Sequence, residues 1–163
     1  MVTIDIRSAT PRDNGGIIAL TLCAWAPVFA SVNAALGSEL AELLHGQDWR
    51  EHQEREVREA LDSASMQVWV SETDGVLTGF VAARVVDSGR AIGEVYILGV
   101  DPRAQGTGVG AALTGHAASR LRDQGMRVAY ISTGGDPGHA PARRLYERLG
   151  YHALPGVQYF KPL

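Results

Sequence analysis

An α/β domain, more closely α+β, is the fold class the sequence predicts: a central mixed, mostly antiparallel sheet of about seven strands with helices on both faces. Three observations lead there. Apolar residues recur at helical spacing through the first third of the chain and then alternate, as strand residues do, through residues 66–100. The Asp74-Gly75 pair joins two alternating runs and supplies the positive φ angles of a two-residue hairpin. A helix-length segment then separates two further strands, so those two should lie parallel through a right-handed crossover. At 163 residues the chain has the size of one domain and can bury a substantial core, so residues 1–163 are expected to form a single unit.

Residues 2–7 alternate as a short strand does. Thr10 and Asp13 make a capping-box pattern ahead of Ile17, Ile18, Leu20, Leu22, Ala24 and Trp25, which predicts a helix that Pro27 closes. Residues 39–46 read as a second short helix ending at Gly46. Asp48 and Glu51 cap a third, highly charged one carrying Trp49, Val57, Ala60 and Leu61, which belongs at the surface. Residues 66–72, 76–86 and 91–100 are strand-like and antiparallel in series, with a break at residues 87–90. Beyond a glycine-rich loop, Val109, Ala112, Leu113, His116, Ala117 and Leu121 share one helical face, and Gly125 stands where a helix ends. Residues 127–133 return to a strand, residues 140–149 form a last helix with Pro141 in its first turn and Gly150 after its end, and residues 151–163 are expected as two short strands around Pro155-Gly156.

Bulk properties exclude several functions. Net charge is -3 and the basic residues, nearly all Arg, are scattered, so the electrostatic footprint of a nucleic-acid partner is missing. Cys23, the only cysteine, has no disulfide partner and no ligand-spaced neighbour, and reads as a buried small hydrophobe. No HExxH or paired-ligand spacing implies a metal, and no GxSxG elbow implies a hydrolase. The N-terminal residues lack the order of a signal peptide, and no apolar run is expected to reach the ~20 residues that span a bilayer, so the expected location is cytoplasmic, with no membrane partner.

The loop Val100-Asp-Pro-Arg-Ala-Gln-Gly-Thr-Gly-Val-Gly110 carries the chemistry. A Walker loop needs a Lys, and the chain has none before Lys161. Gly106, Gly108 and Ala111 match a dinucleotide fingerprint, yet five residues separate Gly106 from Val100 and the next strand ends in Ser132-Thr133 rather than an acidic residue. A connector that only lets helix pack on sheet is the bland alternative. What the loop supplies is a set of unpaired backbone N–H groups at a helix N-terminus, open to a pyrophosphate because Gly106, Gly108 and Gly110 carry no Cβ.

Residues 98–113, LGVDPRAQGTGVGAAL, resemble the acyl-coenzyme A binding segment of the GNAT superfamily of N-acetyltransferases, whose pattern V-x-P-x-x-[QR]-G-x-G-x-[GA] is met at Val100, Pro102, Gln105, Gly106, Gly108 and Gly110. Residues 4–13 are similar to that family's first strand and the start of its first helix, residues 72–85 to its second hairpin, and residues 142–151 to its last helix through Ala142, Tyr146, Gly150 and Tyr151. His139 stands where the family often has an Asn that touches the pantetheine arm.

The resemblance implies a GNAT fold whose fourth and fifth strands, ending near Val100 and Thr133, splay around the pantetheine. It implies acetyl-CoA as co-substrate, with no metal, held by Leu98, Gly99, Val100, Arg103, Gln105, Gly106, Thr107, Gly108, Val109, Gly110, Ala111, His139 and Ala142. It also implies direct transfer to a primary amine of a small molecule or peptide, with the oxyanion on a backbone N–H near Leu98 to Val100. Glu94, six residues before Val100 and on the same strand parity, matches the family's catalytic base, with Glu72 a rival and a solvated carboxylate the bland alternative. Tyr146 matches the residue that protonates the leaving thiolate, with core packing as its alternative. Trp25, Phe29 and Trp49 border the acceptor site or belong to the core. The second functional class is an acyl-CoA-binding sensor of the same fold without turnover, and a homodimer is left open.

Overall fold

A computed structural model describes residues 3–163. The strands are β1 (Asp5–Ser8), β2 (Gln67–Thr73), β3 (Val76–Asp87), β4 (Ile92–Val100) and β5 (Val128–Tyr130). The helices are α1 (Asn14–Leu36), α2 (Ser38–His45), α3 (Trp49–Asp62), α4 (Val109–Asp123) and α5 (Ala140–Arg148), with short 3₁₀ turns at Pro11–Asp13, Pro102–Ala104 and Pro137–His139. One sheet runs in the order β1-β2-β3-β4-β5, antiparallel except for the parallel β4–β5 pair. The Asp74-Gly75 hairpin forms as its chemistry requires, with φ of 52° and 74°.

Both faces of the sheet are covered. Ile17, Ile18 and Leu20 of α1 and Val57 of α3 pack with Val70, Phe80, Ala82 and Ile97 on one face. Val109, Leu113, Ala117 and Leu121 of α4 pack with Trp69, Val81, Ala83 and Val95 on the other. Gly79 and Gly93 let α4 approach, since a Cβ at either would overlap Leu113 or Leu121 side chains.

Several sequence-based expectations are corrected. The first strand is Asp5–Ser8, and Val2 lies outside the described residues. Pro27 does not close α1, which continues to Leu36. An interior proline costs a helix ~3 kcal/mol, and here the helix is held along its length by β3, β4, α2 and α3, which offsets that cost. Among the described residues five strands form rather than about seven. β5 ends at Tyr130, and residues 151–163 adopt no regular strand, with Leu154 and Tyr159 more than nine-tenths exposed. A three-residue edge offers few ladder groups to template a further strand, and Pro155 and Pro162 have no N–H to give one.

Cys23 is exposed on α1 rather than buried. Moreover, α1 carries no charged residue and is long and apolar enough to cross a membrane by length and composition alone. In this fold its sides serve the sheet, α2 with α3, and a cleft described below, which leaves little of the circumference to be polar.

Candidate active site

β4 and β5 pair at only three positions, Ile92 with Val128, Gly93 with Ala129 and Glu94 with Tyr130. Beyond Glu94 the two chains part, and a cleft of about 680 Å³ opens between Val95–Val100 and Ile131–Thr133. A bulge ends the pairing. Ala82 faces Ile97 while Ala83 faces Val95, so Tyr96 is an extra residue on β4, and such an insertion twists the strand away from its partner. The consequence is visible in the core: Val95 packs beneath α4, whereas Ile97, two residues on, packs beneath α1 and α3.

At the far end of β4 the glycine loop carries the chain into α4. Asp101 accepts from the Arg103 N–H (2.8 Å) to form one turn, and Gln105 Nε2 donates to the Val100 carbonyl (3.2 Å), tying the loop to the strand. Gly106 and Gly108 hold φ of 79° and 98°, and a Cβ on either would meet open space. Strain rather than crowding therefore selects glycine there, and the space beside it is cleft. Gly108 is the N-cap of α4 and its side makes no capping bond, so the first N–H groups of that helix face the cleft unpaired by any side chain.

The opposite wall is the 137–139 turn and α5. Tyr146 lines the cleft, stacked edge-on against Tyr151, and burial, with a smaller contribution from Tyr151, pushes its phenol up to about 12. It therefore stays protonated, with its O–H free to donate a hydrogen bond, across the neutral range. His139 also lines the cleft, its Nδ1 paired with Asp136 and its ring edge-on to Trp25 of α1. Burial would raise the Asp136 carboxyl, but hydrogen bonds from Ser31, His139 and the Gly138 N–H (3.0 Å) outweigh it and hold the group below its usual value, ionised. Arg143 donates to the carbonyls of Gly134 (2.6 Å) and Asp136 (2.8 Å), fixing the turn. Among the described residues that line the cleft, the permanently charged ones are Arg144 and Arg148, and none is Asp or Glu.

Of the residues predicted from sequence, Leu98, Val100, Gln105, Gly106, Gly108, Gly110, Ala111, His139, Ala142, Tyr146 and Trp25 all line this one cleft. Gly99 turns its backbone onto Phe80 and Leu20, and the Val109 side chain is core. Arg103 pairs with Asp101 and points to solvent, and Thr107 donates to the Ala104 carbonyl (2.6 Å). Phe29 and Trp49 stack on each other (4.5 Å) beside His45, between α1, α2 and α3, while only Trp25 of the three aromatics reaches the cleft.

Glu94 needs a correction of geometry. The bulge at Tyr96 reverses parity, so Glu94 faces the α1 and α3 side while Leu98 and Val100 face α4. The carboxylate is buried, accepts from Arg84 Nε (2.7 Å), and sits behind the cleft wall that Tyr96 makes, with Arg84 over the Tyr96 ring at 4.8 Å. Glu72 is bound to Arg7 at the β1–β2 end of the sheet. Sequence reasoning missed Tyr96, Asp136 and the arginines of α5. The run Val95-Tyr96-Ile97-Leu98, apolar without alternation, was a trace of the bulge, and Arg144 and Arg148 are spaced to share a helix face.

The sequence profile of the Acetyltransferase (GNAT) family matches residues 35–151. A mycothiol acetyltransferase of Saccharomonospora viridis is 34% identical over 127 residues, covering 69% of this chain and 41% of that protein. The chain thus matches well under half the length of the curated relatives. An acetyltransferase of the GNAT family from Desulfovibrio desulfuricans superposes with a TM-score of 0.68 at 21% identity, covering 94% of this chain and 87% of that one. The aminoglycoside N-acetyltransferase AAC(6')-Iy in complex with CoA gives 0.66 at 16% identity, covering 99% and 96%.

Proposed function

The chain belongs to the GNAT acetyltransferase family, and from that premise we propose that it is an N-acetyltransferase moving the acetyl group of acetyl-CoA directly to a primary amine. The observation that carries the reading is the glycine-opened N-terminus of α4 at the mouth of two splayed strands. The pyrophosphate would sit on the N–H groups of residues 106–111, with Arg144 and Arg148 supplying positive charge to an anionic ligand. The pantetheine amides would run along β4 past Glu94, where β5 offers no ladder partner, as an added strand does.

The thioester then lies near Tyr146, and its developing oxyanion is met by a β4 N–H between Leu98 and Val100. The acceptor enters from the α1 side, against Trp25, Pro27 and Val28. With Arg144 and Arg148 engaged by the cofactor and no Asp or Glu among the described residues lining the cleft, a polycationic acceptor finds no counter-charge there, and a mono-amine fits better. An amine with a pKa near 10.4 must also shed a proton, at about 4–5 kcal/mol, before it can attack at pH 7.

Thermal unfolding with added ligand tests the reading. Acetyl-CoA at 100 times its Kd should add about 2.7 kcal/mol, roughly 5–10 °C in Tm, and NAD none. A panel of amino acids, amino sugars, peptides and aminoglycosides, followed by release of free CoA thiol, identifies the acceptor. Absence of a shift with acetyl-CoA would overturn the proposal.

A further inference from the structure

We propose that His139, oriented by Asp136, is the base that takes the proton from the acceptor ammonium, a role that rests on the acetyltransferase reading above. The geometry is that of an aimed imidazole. Asp136 is ionised and can only accept, so the Nδ1 facing it carries the ring proton and Nε2 is left with a free lone pair. Asp136 is itself held by Ser31 from α1 and by the Gly138 N–H, and Gly138 N also donates to Ser31 Oγ (2.9 Å). This locks the pair to the helix that borders the acceptor side. A Cβ on Gly134 would overlap both His139 and Asp136, so the turn is shaped around them.

Placement and chemistry then eliminate the alternatives. The titratable groups that share the cleft with His139 are Tyr96, Tyr146, Arg144 and Arg148, and all four are protonated at neutral pH. Arg143 lies behind the turn on backbone carbonyls, and α1, whose Trp25 packs on the ring, brings no charged group. Glu94 is committed to Arg84 behind the wall. Among the titratable groups lining the cleft His139 is the one left with a lone pair to offer, and it lies at the acceptor end beside Trp25.

The step balances without a further reactant. His139 Nε2 takes one proton from the ammonium, the freed nitrogen attacks the thioester carbon, the C–N bond forms and the C–S bond breaks, and the thiolate takes the Tyr146 proton. The amide nitrogen loses its second proton to solvent, through which Tyr146 is reprotonated and His139 discharged.

Two measurements test this on the intact protein. Nitrogen-15 NMR of the free enzyme should show His139 as the Nδ1–H tautomer when neutral, and an Nε2–H tautomer overturns the proposal. With an accepted amine, His139→Asn should lower kcat/KM at pH 7 by ~10²-fold, and the rate should climb tenfold per pH unit up to the amine pKa, removing the deficit. Asp136→Asn should lose ~10-fold or more in the same pH-dependent way, with acetyl-CoA affinity and Tm kept in both variants. Glu94→Gln should retain the neutral-pH limb. Loss of that limb in Glu94→Gln, or a parental profile in His139→Asn, overturns the assignment. A His139→Asn variant that loses acetyl-CoA affinity but keeps its profile does so too, making His139 a cofactor contact. A wild-type protein that binds acetyl-CoA and acetylates no amine overturns the acetyltransferase reading and this role with it.

Discussion

Tyr146 lines the cleft with its ring against Tyr151, and in the proposed reaction its hydroxyl faces the leaving thiolate. With its pKa pushed up to about 12 the phenol stays protonated until a thiolate, a stronger base at the moment of departure than water, draws on it. Tyr146→Phe keeps the ring against Tyr151. The expected result is a ~10²-fold fall in kcat with KM for acetyl-CoA and Tm little changed, measured by steady-state kinetics and melting. At Gly108 the backbone sits at φ 98°, so any replacement is strained and a bare Glu substitution would mix strain with charge. Asn and Asp both tolerate this region and have nearly the same shape, so they separate the two. Gly108→Asp should bind acetyl-CoA about tenfold or more weaker than Gly108→Asn by calorimetry, because only the carboxylate repels a pyrophosphate.

At the scale of an element, α1 is governed by Pro27. The proline leaves the Cys23 carbonyl without its helical partner and presses its ring on that turn, in the stretch that lines the cleft. Pro27→Ala should raise Tm by about 3 °C or more while changing KM for the acceptor, since the restored turn alters the acceptor wall. The start of α1 is tied to the sheet by Arg7, which holds Asp13 (2.8 and 2.9 Å) and also Glu72, while Asp13 caps Thr10. The Arg7 hydrogen bonds hold the Asp13 carboxyl far below its usual range, with Thr10 adding to the effect and burial opposing it. A depressed carboxylate contributes stability that is whole above the unfolded pKa near 3.9 and is lost as pH falls toward the folded one. Tm should therefore fall between pH 5 and pH 2 more steeply in the parent than in Asp13→Asn, with the parent the more stable near pH 7. Scanning calorimetry across that range checks it.

Across the whole molecule, stability should be graded from the middle of the sheet outward. β3 is paired on both sides and covered on both faces, and Phe80 to Ala83 are at most 1% exposed. β5 is a three-residue edge with Val128 and Tyr130 exposed. Native-state hydrogen exchange should find the amides of residues 80–83 slowest, near the global unfolding free energy, and those of residues 128–133 and 151–163 fastest. Comparable protection in β5 would mean that a partner strand covers that edge in solution. The cleft spans that difference: the glycine loop follows β4, which is paired with β3 to Val100, whereas the α5 wall faces it beyond the three-residue edge strand.

What the sequence by itself determined is what a few neighbouring residues encode. Asp74-Gly75 suffices for the hairpin, Thr10 with Asp13 for a cap, and the motif from Val100 to Gly110 for a helix start opened by glycine, because turn angles and unpaired N–H groups are local properties. The residues of the loop from Val100 to Ala111 that share the cleft follow from that motif, whereas Leu98, His139, Ala142, Tyr146 and Trp25 are expected there through the resemblance to the family. Tertiary structure alone decided the rest. The bulge at Tyr96 exists only in register with β3, and it moved Glu94 to the other face. Packing on the sheet carried α1 through Pro27, against the local cost of the proline. Asp136, His139, Ser31 and Trp25 come together only because the turn before α5 docks on α1, far away in sequence. Periodicity reports which residues prefer to be buried, but the partner that buries them, and the face on which a strand presents its charges, are set by contacts between distant segments.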